Sequence, residues 1–213
     1  MDKRYGFIVI LMLLAAVFLF NKYKKVQSIE LGSPSSYITW VYLCGLTCDW
    51  YDSLELENRN KLSVIGKKLG IKFIALKPMF RCIQFDNKLC WPHDSREETL
   101  RVYDQILNKL SGIKISGFIG FSNGGFFLNK LVQYKQLNVP AISIGSAGYL
   151  ENGSYKNNLY LLIGMQDIYH NEGAHQLYEQ SKNKALNIHL IEYEDGHVMP
   201  ERLLESLVLD LID

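Results

Sequence analysis

The stretch that decides the fold reads Gly117-Phe118-Ile119-Gly120-Phe121-Ser122-Asn123-Gly124-Gly125-Phe126-Phe127. Residues 113–119 are rich in apolar and β-branched side chains, and they predict a buried strand. From Phe126 to Tyr134 the apolar residues recur at helical spacing and predict a helix. Between strand and helix lies the motif Gly-x-Ser-x-Gly, which predicts a tight turn that holds Ser122 in a strained conformation with its hydroxyl exposed.

Length and charge narrow the class of protein. The chain has 213 residues, which suits one domain with a sizeable core. Its formal net charge is +1 and the sequence contains no basic stripe. The composition therefore argues against a nucleic-acid-binding protein.

An unbroken apolar run occupies residues 6–20, and lysine or arginine residues flank it on both sides. This length matches the core of a signal peptide and is short for a membrane span. Because no small-residue cleavage site follows the run, we favour an uncleaved anchor that attaches the protein to a membrane. A cleaved signal sequence, which predicts an exported protein, and a buried core helix are the alternatives.

The chain divides into three predicted regions. Residues 1–25 are the N-terminal anchor or signal sequence with its hydrophobic helix, residues 26–36 are a polar linker, and residues 37–213 are the folded domain. Within that domain, predicted strands alternate with predicted helices. The alternation predicts an α/β fold, with a mostly parallel sheet that helices cover on both faces.

Three of the predicted strands end in residues that can act together in catalysis. Ser122 follows the strand at 113–119, Asp167 follows a strand at 159–163, and His197 follows a strand at 187–193. The carboxyl ends of parallel strands meet at one edge of a sheet, so we expect the three side chains to converge. An imidazole can take the proton of a serine hydroxyl, and a carboxylate can fix the tautomer of that imidazole. The sequence therefore predicts a catalytic triad with a hydrogen bond between Ser122 and His197.

These motifs resemble those of the α/β-hydrolases, and in particular the small phospholipase/carboxylesterase and dienelactone-hydrolase-like groups. The resemblance covers residues 37–213, and three segments carry it: Gly120-Phe121-Ser122-Asn123-Gly124-Gly125, Gly164-Met165-Gln166-Asp167, and Asp195-Gly196-His197 followed by Pro200. It implies Ser122 as the nucleophile, His197 as the base and Asp167 as the residue that orients the base.

The chain departs from this family pattern in two places. Family members usually carry His-Gly after the first long strand, where this chain has Cys44-Gly45. The oxyanion hole uses backbone N–H groups from this loop and from the residue after the nucleophile, which assigns Leu46 and Asn123 as the donors. Few residues precede Tyr37, so the leading antiparallel strands of larger family members are not expected.

Two further residues compete for roles in this site. Asp195 is close to His197 in the sequence, but we assign Asp195 to a turn with Gly196 and favour Asp167 as the acid. His170 lies three residues after Asp167, and we expect it to line the same pocket.

The four cysteines do not match zinc-binding spacings, and no metal site is predicted. In an oxidising compartment Cys82 and Cys90 can form a disulfide, and four free thiols are the alternative. Cys44 ends a predicted strand near the pocket and is an alternative nucleophile, although no Gly-x-Ser-x-Gly turn surrounds it.

The sequence thus predicts a serine hydrolase that cleaves a carboxylic ester or thioester through an acyl-enzyme, without a metal or organic cofactor. The predicted pocket residues are Cys44, Phe121, Trp91, Tyr149 and His170. Aromatic residues in the segments 78–93 and 149–155 indicate an apolar or lipid-like portion of the substrate. A peptidase or acyltransferase with the same triad, and a catalytically silent, membrane-tethered binding protein, are the alternatives.

Overall fold

The structure, a computed structural model, describes residues 26–46, 48, 51–78, 80–135, 137–148, 158–182, 184 and 187–212. The predicted anchor at residues 1–25 lies outside these ranges, and so do the predicted pocket residue Tyr149 and the rest of the segment 149–155. Within the ranges described, no helix is long and apolar enough to cross a membrane.

The central sheet contains seven strands: β1 (Gln27–Gly32), β2 (Thr39–Leu43), β3 (Lys72–Lys77), β6 (Ile115–Phe121), β7 (Ala141–Ile144), β8 (Leu159–Gly164) and β9 (Ile188–Tyr193). Their order in the sheet is β1-β3-β2-β6-β7-β8-β9. Every neighbouring pair is parallel except β1 and β3. The predicted α/β fold with a mostly parallel sheet is therefore confirmed.

The described part of the chain forms five α-helices: α1 (Ser53–Leu69), α2 (Arg96–Lys109), α3 (Asn123–Tyr134), α4 (Asn171–Lys182) and α5 (Glu201–Ile212). Helix α1 packs against β1, β3 and α5, whereas α3 packs against β2, β6, β7 and α2. Strand β2 is buried at every position, as is typical of a central strand in a parallel sheet with both faces covered.

The strand order changes direction beside β2. The chain leaves β2 through α1 to reach β3 on one side, and β6 pairs later with the other side of β2. In open α/β sheets, ligands bind outside the carboxyl ends of the strands at such a point. The carboxyl ends of β2 and β6 are therefore well placed to form a binding site.

The polar stretch at 26–36, which the sequence predicts to be a linker, instead contains the edge strand β1. This strand pairs antiparallel with β3, from Gln27 opposite Lys77 to Gly32 opposite Lys72. The linker prediction was wrong. Strand β3 needs a neighbouring strand for the backbone N–H and C=O groups on its outer side, and no local sequence pattern shows which segment supplies that strand. One leading antiparallel strand is therefore present before Tyr37.

The segment 78–93 forms a hairpin, in which β4 (Phe80–Cys82) pairs antiparallel with β5 (Lys88–Cys90). A disulfide joins Cys82 to Cys90, which is one of the two options that the sequence leaves open. A second disulfide joins Cys44 to Cys48 in the loop after β2, and the sequence analysis did not predict it.

Candidate active site

Ser122 lies in the turn that joins β6 to α3. Its backbone has φ 51° and ψ −117°, a conformation that residues other than glycine rarely adopt. The Ser122 N–H donates a hydrogen bond to the carbonyl of Ile144 at 2.8 Å. A Cβ atom on Gly124 would overlap the carbonyl oxygens of Leu43 and Cys44 at the end of β2. The predicted strained turn is therefore present, and its second glycine allows close packing against β2.

Asp167 and His197 meet where β8 and β9 end side by side. The distance from His197 Nδ1 to Asp167 Oδ2 is 2.7 Å. Asp167 is only 1% exposed, and its Oδ1 accepts the backbone N–H groups of Tyr169 and His170 at 3.2 Å. The rival acid Asp195 is exposed. The structure therefore pairs His197 with the predicted acid, Asp167.

Asp167 is an ionised carboxylate in this environment. Burial acts to raise the pKa of Asp167, but the hydrogen bond from His197 and the charges of His170 and His197 outweigh burial and hold that pKa below its usual value. Because a carboxylate can only accept hydrogen bonds, Nδ1 of His197 is the donor and Nε2 is left free to accept a proton. A general base that acts on a serine hydroxyl requires this tautomer.

A cavity of about 180 Å³ lies beside the turn, and both Ser122 and His197 line it. The other lining residues come mainly from the loop after β2 and from the start of α1: Gly45, Leu46, Asp52, Leu54, Glu55, Asn58 and Phe121. The predicted oxyanion residue Leu46 and the predicted pocket residue Phe121 are among them. Asn123, the second predicted oxyanion residue, is the first residue of α3, so its backbone N–H has no acceptor within the helix.

Ser122 and His197 share the cavity, but in the described part of the chain no hydrogen bond joins their side chains. The sequence predicts that bond, and the structure does not contain it. In unliganded active sites such bonds are often long and shorten only when the substrate binds.

No known family model matches this sequence, and neither does any curated protein. Solved structures do match it. Esterase PE8 has a TM-score of 0.65 at 13% identity, over 88% of this chain and 99% of the esterase. Acyl-protein thioesterase 2 from Zea mays has a TM-score of 0.65 at 18% identity, over 88% and 99% of the two chains. A carboxylesterase from Mesorhizobium loti has a TM-score of 0.63 at 12% identity, over 82% and 90%.

The chain has the α/β-hydrolase fold. At these identities the similarity concerns the fold alone, and the roles of individual residues rest on the geometry of this chain's own side chains.

Gly145, which follows β7, is a residue of the candidate site that the sequence pattern did not identify. Its φ is +56°, and a Cβ atom there would lie 2.9 Å from both Cε1 and Nδ1 of His197. The His197 ring therefore packs directly against glycine backbone. The available signal was the position of Gly145 at a strand end, the same position that identified Ser122 and Asp167.

A second imidazole shares the Asp167 carboxylate. His170 Nδ1 lies 3.1 Å from Asp167 Oδ1, and the ring centres of His170 and His197 are 4.8 Å apart. Burial, together with the charge of His197, lowers the pKa of His170 and outweighs the opposite effect of Asp167. The three side chains offer ligand atoms within 4.8 Å of one another, so they could hold a metal ion. A metal would have to displace the hydrogen bonds that these atoms make with each other.

Three predicted pocket residues, Cys44, Trp91 and His170, are not among the residues that line the cavity. Cys44 and Trp91 are fully buried. Cys44 is held in the disulfide with Cys48, so the alternative of a Cys44 nucleophile was wrong. Trp91 instead connects the loop after β2 to the start of α3 through two hydrogen bonds. Its indole N–H donates to the Cys44 carbonyl at 3.0 Å, and its backbone N–H donates to the Asn123 side chain at 2.6 Å.

The first turn of α1 is the other part of the site that the sequence analysis missed. Helix α1 begins at Ser53 because Asp52 Oδ1 accepts the backbone N–H groups of Leu54 and Glu55 at 3.1 Å. Asp52 with Glu55 three residues later is similar to a capping box and was the available signal.

Proposed function

We propose that this protein is a serine hydrolase that cleaves a carboxylic ester or thioester through an acyl-enzyme on Ser122. The observation that supports this proposal most strongly is the 2.7 Å hydrogen bond between His197 and the buried Asp167, at the edge of the cavity that Ser122 lines. The fold supports it too, since the similar solved structures include esterases and a thioesterase.

In the proposed reaction the Ser122 oxygen attacks the substrate carbonyl carbon while His197 Nε2 takes the hydroxyl proton. The carbonyl oxygen becomes an oxyanion, which the backbone N–H groups of Leu46 and Asn123 stabilise. His197 then gives its proton to the departing alcohol or thiol. Water, deprotonated by the same imidazole, releases the acid and restores Ser122.

The size of the cavity favours a short substrate group. A volume of about 180 Å³ corresponds to roughly six water molecules. We therefore propose that a group of a few carbon atoms fills the cavity, and that a longer chain would extend through its open side.

Active-site labelling tests the proposal. Wild-type protein should react with a fluorophosphonate probe and hydrolyse short p-nitrophenyl esters. Ser122→Ala should abolish the labelling and lower ester hydrolysis by on the order of 10⁵-fold or more. Ser111→Ala is the matched control, because Ser111 is exposed in the turn after α2.

The alternative of a catalytically silent binding protein makes the opposite prediction. The missing hydrogen bond between Ser122 and His197 is the observation that favours this alternative. If the wild-type protein is inert to both the probe and the esters, the hydrolase function is excluded and the binding-protein alternative is supported.

A further inference from the structure

We propose, resting on the hydrolase function above, that Trp91 is a positioning residue for the oxyanion hole. The two proposed donors are backbone N–H groups from different segments of the chain. Leu46 belongs to the loop after β2, and Asn123 is the first residue of α3. Trp91 is hydrogen bonded to both segments and thereby fixes the two donors relative to each other.

The central sheet does not by itself hold the two donors together. Strands β2 and β6 pair as far as Leu43 and Gly120, which lie three residues before Leu46 and Asn123, respectively. Beyond that point, no backbone hydrogen bond among the described residues joins the loop after β2 to the turn at Ser122. A further link between the two segments is therefore needed to fix the donors.

One link runs from Trp91 to the loop after β2. The indole N–H of Trp91 donates to the Cys44 carbonyl at 3.0 Å, two residues before Leu46. Trp91 is fully buried, and its ring packs against Phe127 of α3 with the ring centres 5.5 Å apart. Because the hydrogen bond is buried, water does not compete for the Cys44 carbonyl, and the loop is held at this point.

The other link runs from Trp91 to Asn123. The backbone N–H of Trp91 donates to Asn123 Oδ1 at 2.6 Å, and Asn123 Nδ2 donates to the Trp91 carbonyl at 3.3 Å. Asn123 is only 4% exposed, and these two bonds use both ends of its amide. The side chain cannot rotate without losing them, so the residue that carries the second donor is held against Trp91.

Both links act on the geometry that an oxyanion requires. Donors stabilise the transition state when they lie about 2.7–3.1 Å from the developing oxyanion, and loss of one donor lowers kcat on the order of 10²–10³-fold. Small displacements of such groups also have large effects on rate. Trp91 does not line the cavity, so it acts through the position of the two donors and not by contact with the substrate.

The variant Trp91→Phe tests the first link, because phenylalanine keeps an aromatic ring in the core but lacks the indole N–H. With short p-nitrophenyl esters we expect kcat to fall about 10-fold or more and KM to change less than about 2-fold, since the oxyanion forms only in the transition state. A trifluoromethyl ketone forms a tetrahedral oxyanion adduct with Ser122. Its Ki should rise by the same factor by which kcat/KM falls.

The matched control is Trp40→Phe, near the start of β2. Trp40 is also fully buried, but its indole nitrogen has no hydrogen-bond partner among the described residues. This substitution therefore removes the same atoms from the core without removing a hydrogen bond. It should lower the melting temperature but leave kcat and the Ki of the ketone unchanged in the folded protein.

The variant Asn123→Ala tests the second link and does not depend on whether Trp91→Phe folds. Alanine keeps the backbone N–H at position 123 but loses both hydrogen bonds to Trp91, so kcat and Ki should change in the same direction as in Trp91→Phe. The double variant should lose less kcat/KM than the product of the two single losses, because each substitution releases the same pair of donors.

Three results would contradict the proposal in different ways. Wild-type kcat/KM and Ki in either folded variant would overturn it, since Trp91 would then not link the two donors. A loss of kcat/KM with an unchanged Ki would mean that Trp91 only supports the fold, which also overturns it. A wild-type protein that reacts with neither ester nor fluorophosphonate would remove the hydrolase function on which the proposal rests.

Discussion

Asp167 and His197 are 30 residues apart in the chain, and a 2.7 Å hydrogen bond joins Asp167 Oδ2 to His197 Nδ1. This bond requires a carboxylate, since only an acceptor leaves Nδ1 as the donor and Nε2 free. Asp167→Asn can place an amide N–H toward Nδ1 and favour the wrong tautomer. We expect ester hydrolysis to fall by about 10⁴-fold, less than in Ser122→Ala, with the fold intact.

Steady-state kinetics and thermal melting check this prediction. Asp195→Asn is the control, because Asp195 is exposed and close to His197 in the sequence. If Asp195→Asn lost as much activity as Asp167→Asn, the assignment of the acid would be wrong.

Gly145 should be as important for the position of His197 as the hydrogen bond between His197 and Asp167 is. In Gly145→Ala the new Cβ would lie 2.9 Å from the His197 ring, and the φ of +56° also disfavours alanine. We expect kcat to fall at least about 10²-fold, because small displacements of a catalytic group have large effects on rate. Gly148→Ala, whose nearest neighbour atom is 3.8 Å away, should retain activity. Equal kcat values for the two variants would show that His197 tolerates the displacement.

The Cys44–Cys48 disulfide should matter for activity, whereas the Cys82–Cys90 disulfide should matter mainly for stability. The first disulfide encloses Gly45 and Leu46, which line the cavity. In the chain-entropy picture each of the two short loops contributes about 2–3 kcal/mol to folding. Replacing both cysteines of a pair with serine should therefore lower stability similarly in the two cases.

Activity distinguishes the two cysteine pairs. We expect kcat to fall about 10-fold in Cys44→Ser/Cys48→Ser, because the loop that carries the proposed oxyanion donor loses its restraint. Cys82→Ser/Cys90→Ser should keep kcat near the wild-type value at a temperature where both variants are folded. A reversed order would assign the catalytic restraint to the hairpin.

Glu55 should make stability depend on pH. Its pKa is raised from 4.5 to about 7 in the folded protein, mainly by burial. Between these values the folded state binds more protons than the unfolded state, so the contribution to stability is present below pH 4.5 and is lost as pH rises through 7. The loss corresponds to about 3 kcal/mol.

Glu55→Gln removes this titration. Urea unfolding at pH 5 and pH 8 should show that wild-type protein loses more stability than Glu55→Gln between the two values. Identical pH dependence of the two proteins would mean that Glu55 titrates normally.

The N-terminal segment yields a prediction about location. If residues 6–20 anchor the protein, the full-length chain should sediment with membranes and retain its N-terminus. Deletion of residues 1–25 should release an active domain, because β1 begins at Gln27 and stays intact. Deletion of residues 1–36 should lower the melting temperature, since it removes β1 from the edge of the sheet. Recovery of a full-length product that begins after residue 20 would favour the cleaved signal sequence.

Much of the site could be predicted from local patterns. The sequence predicts a strand at 159–163, and the structure contains it as Leu159–Gly164. The strand-end positions of Ser122, Asp167 and His197 could be predicted because alternation of strands and helices implies a parallel sheet. Strand β1 and the β4–β5 hairpin were missed, because their pairing depends on distant partners and turn geometry rather than on a periodic pattern.

The sequence by itself determined the Gly-x-Ser-x-Gly turn, the alternation of strands with helices that implies a parallel sheet, and the three residue types at the strand ends. These features follow from local backbone preferences and side-chain periodicity, which act over a few residues. Only the tertiary structure decided that Gly145 packs against His197, and that the start of α1 lies beside the cavity that Ser122 lines. Such contacts depend on strand order and helix packing, which bring together residues that no local pattern relates.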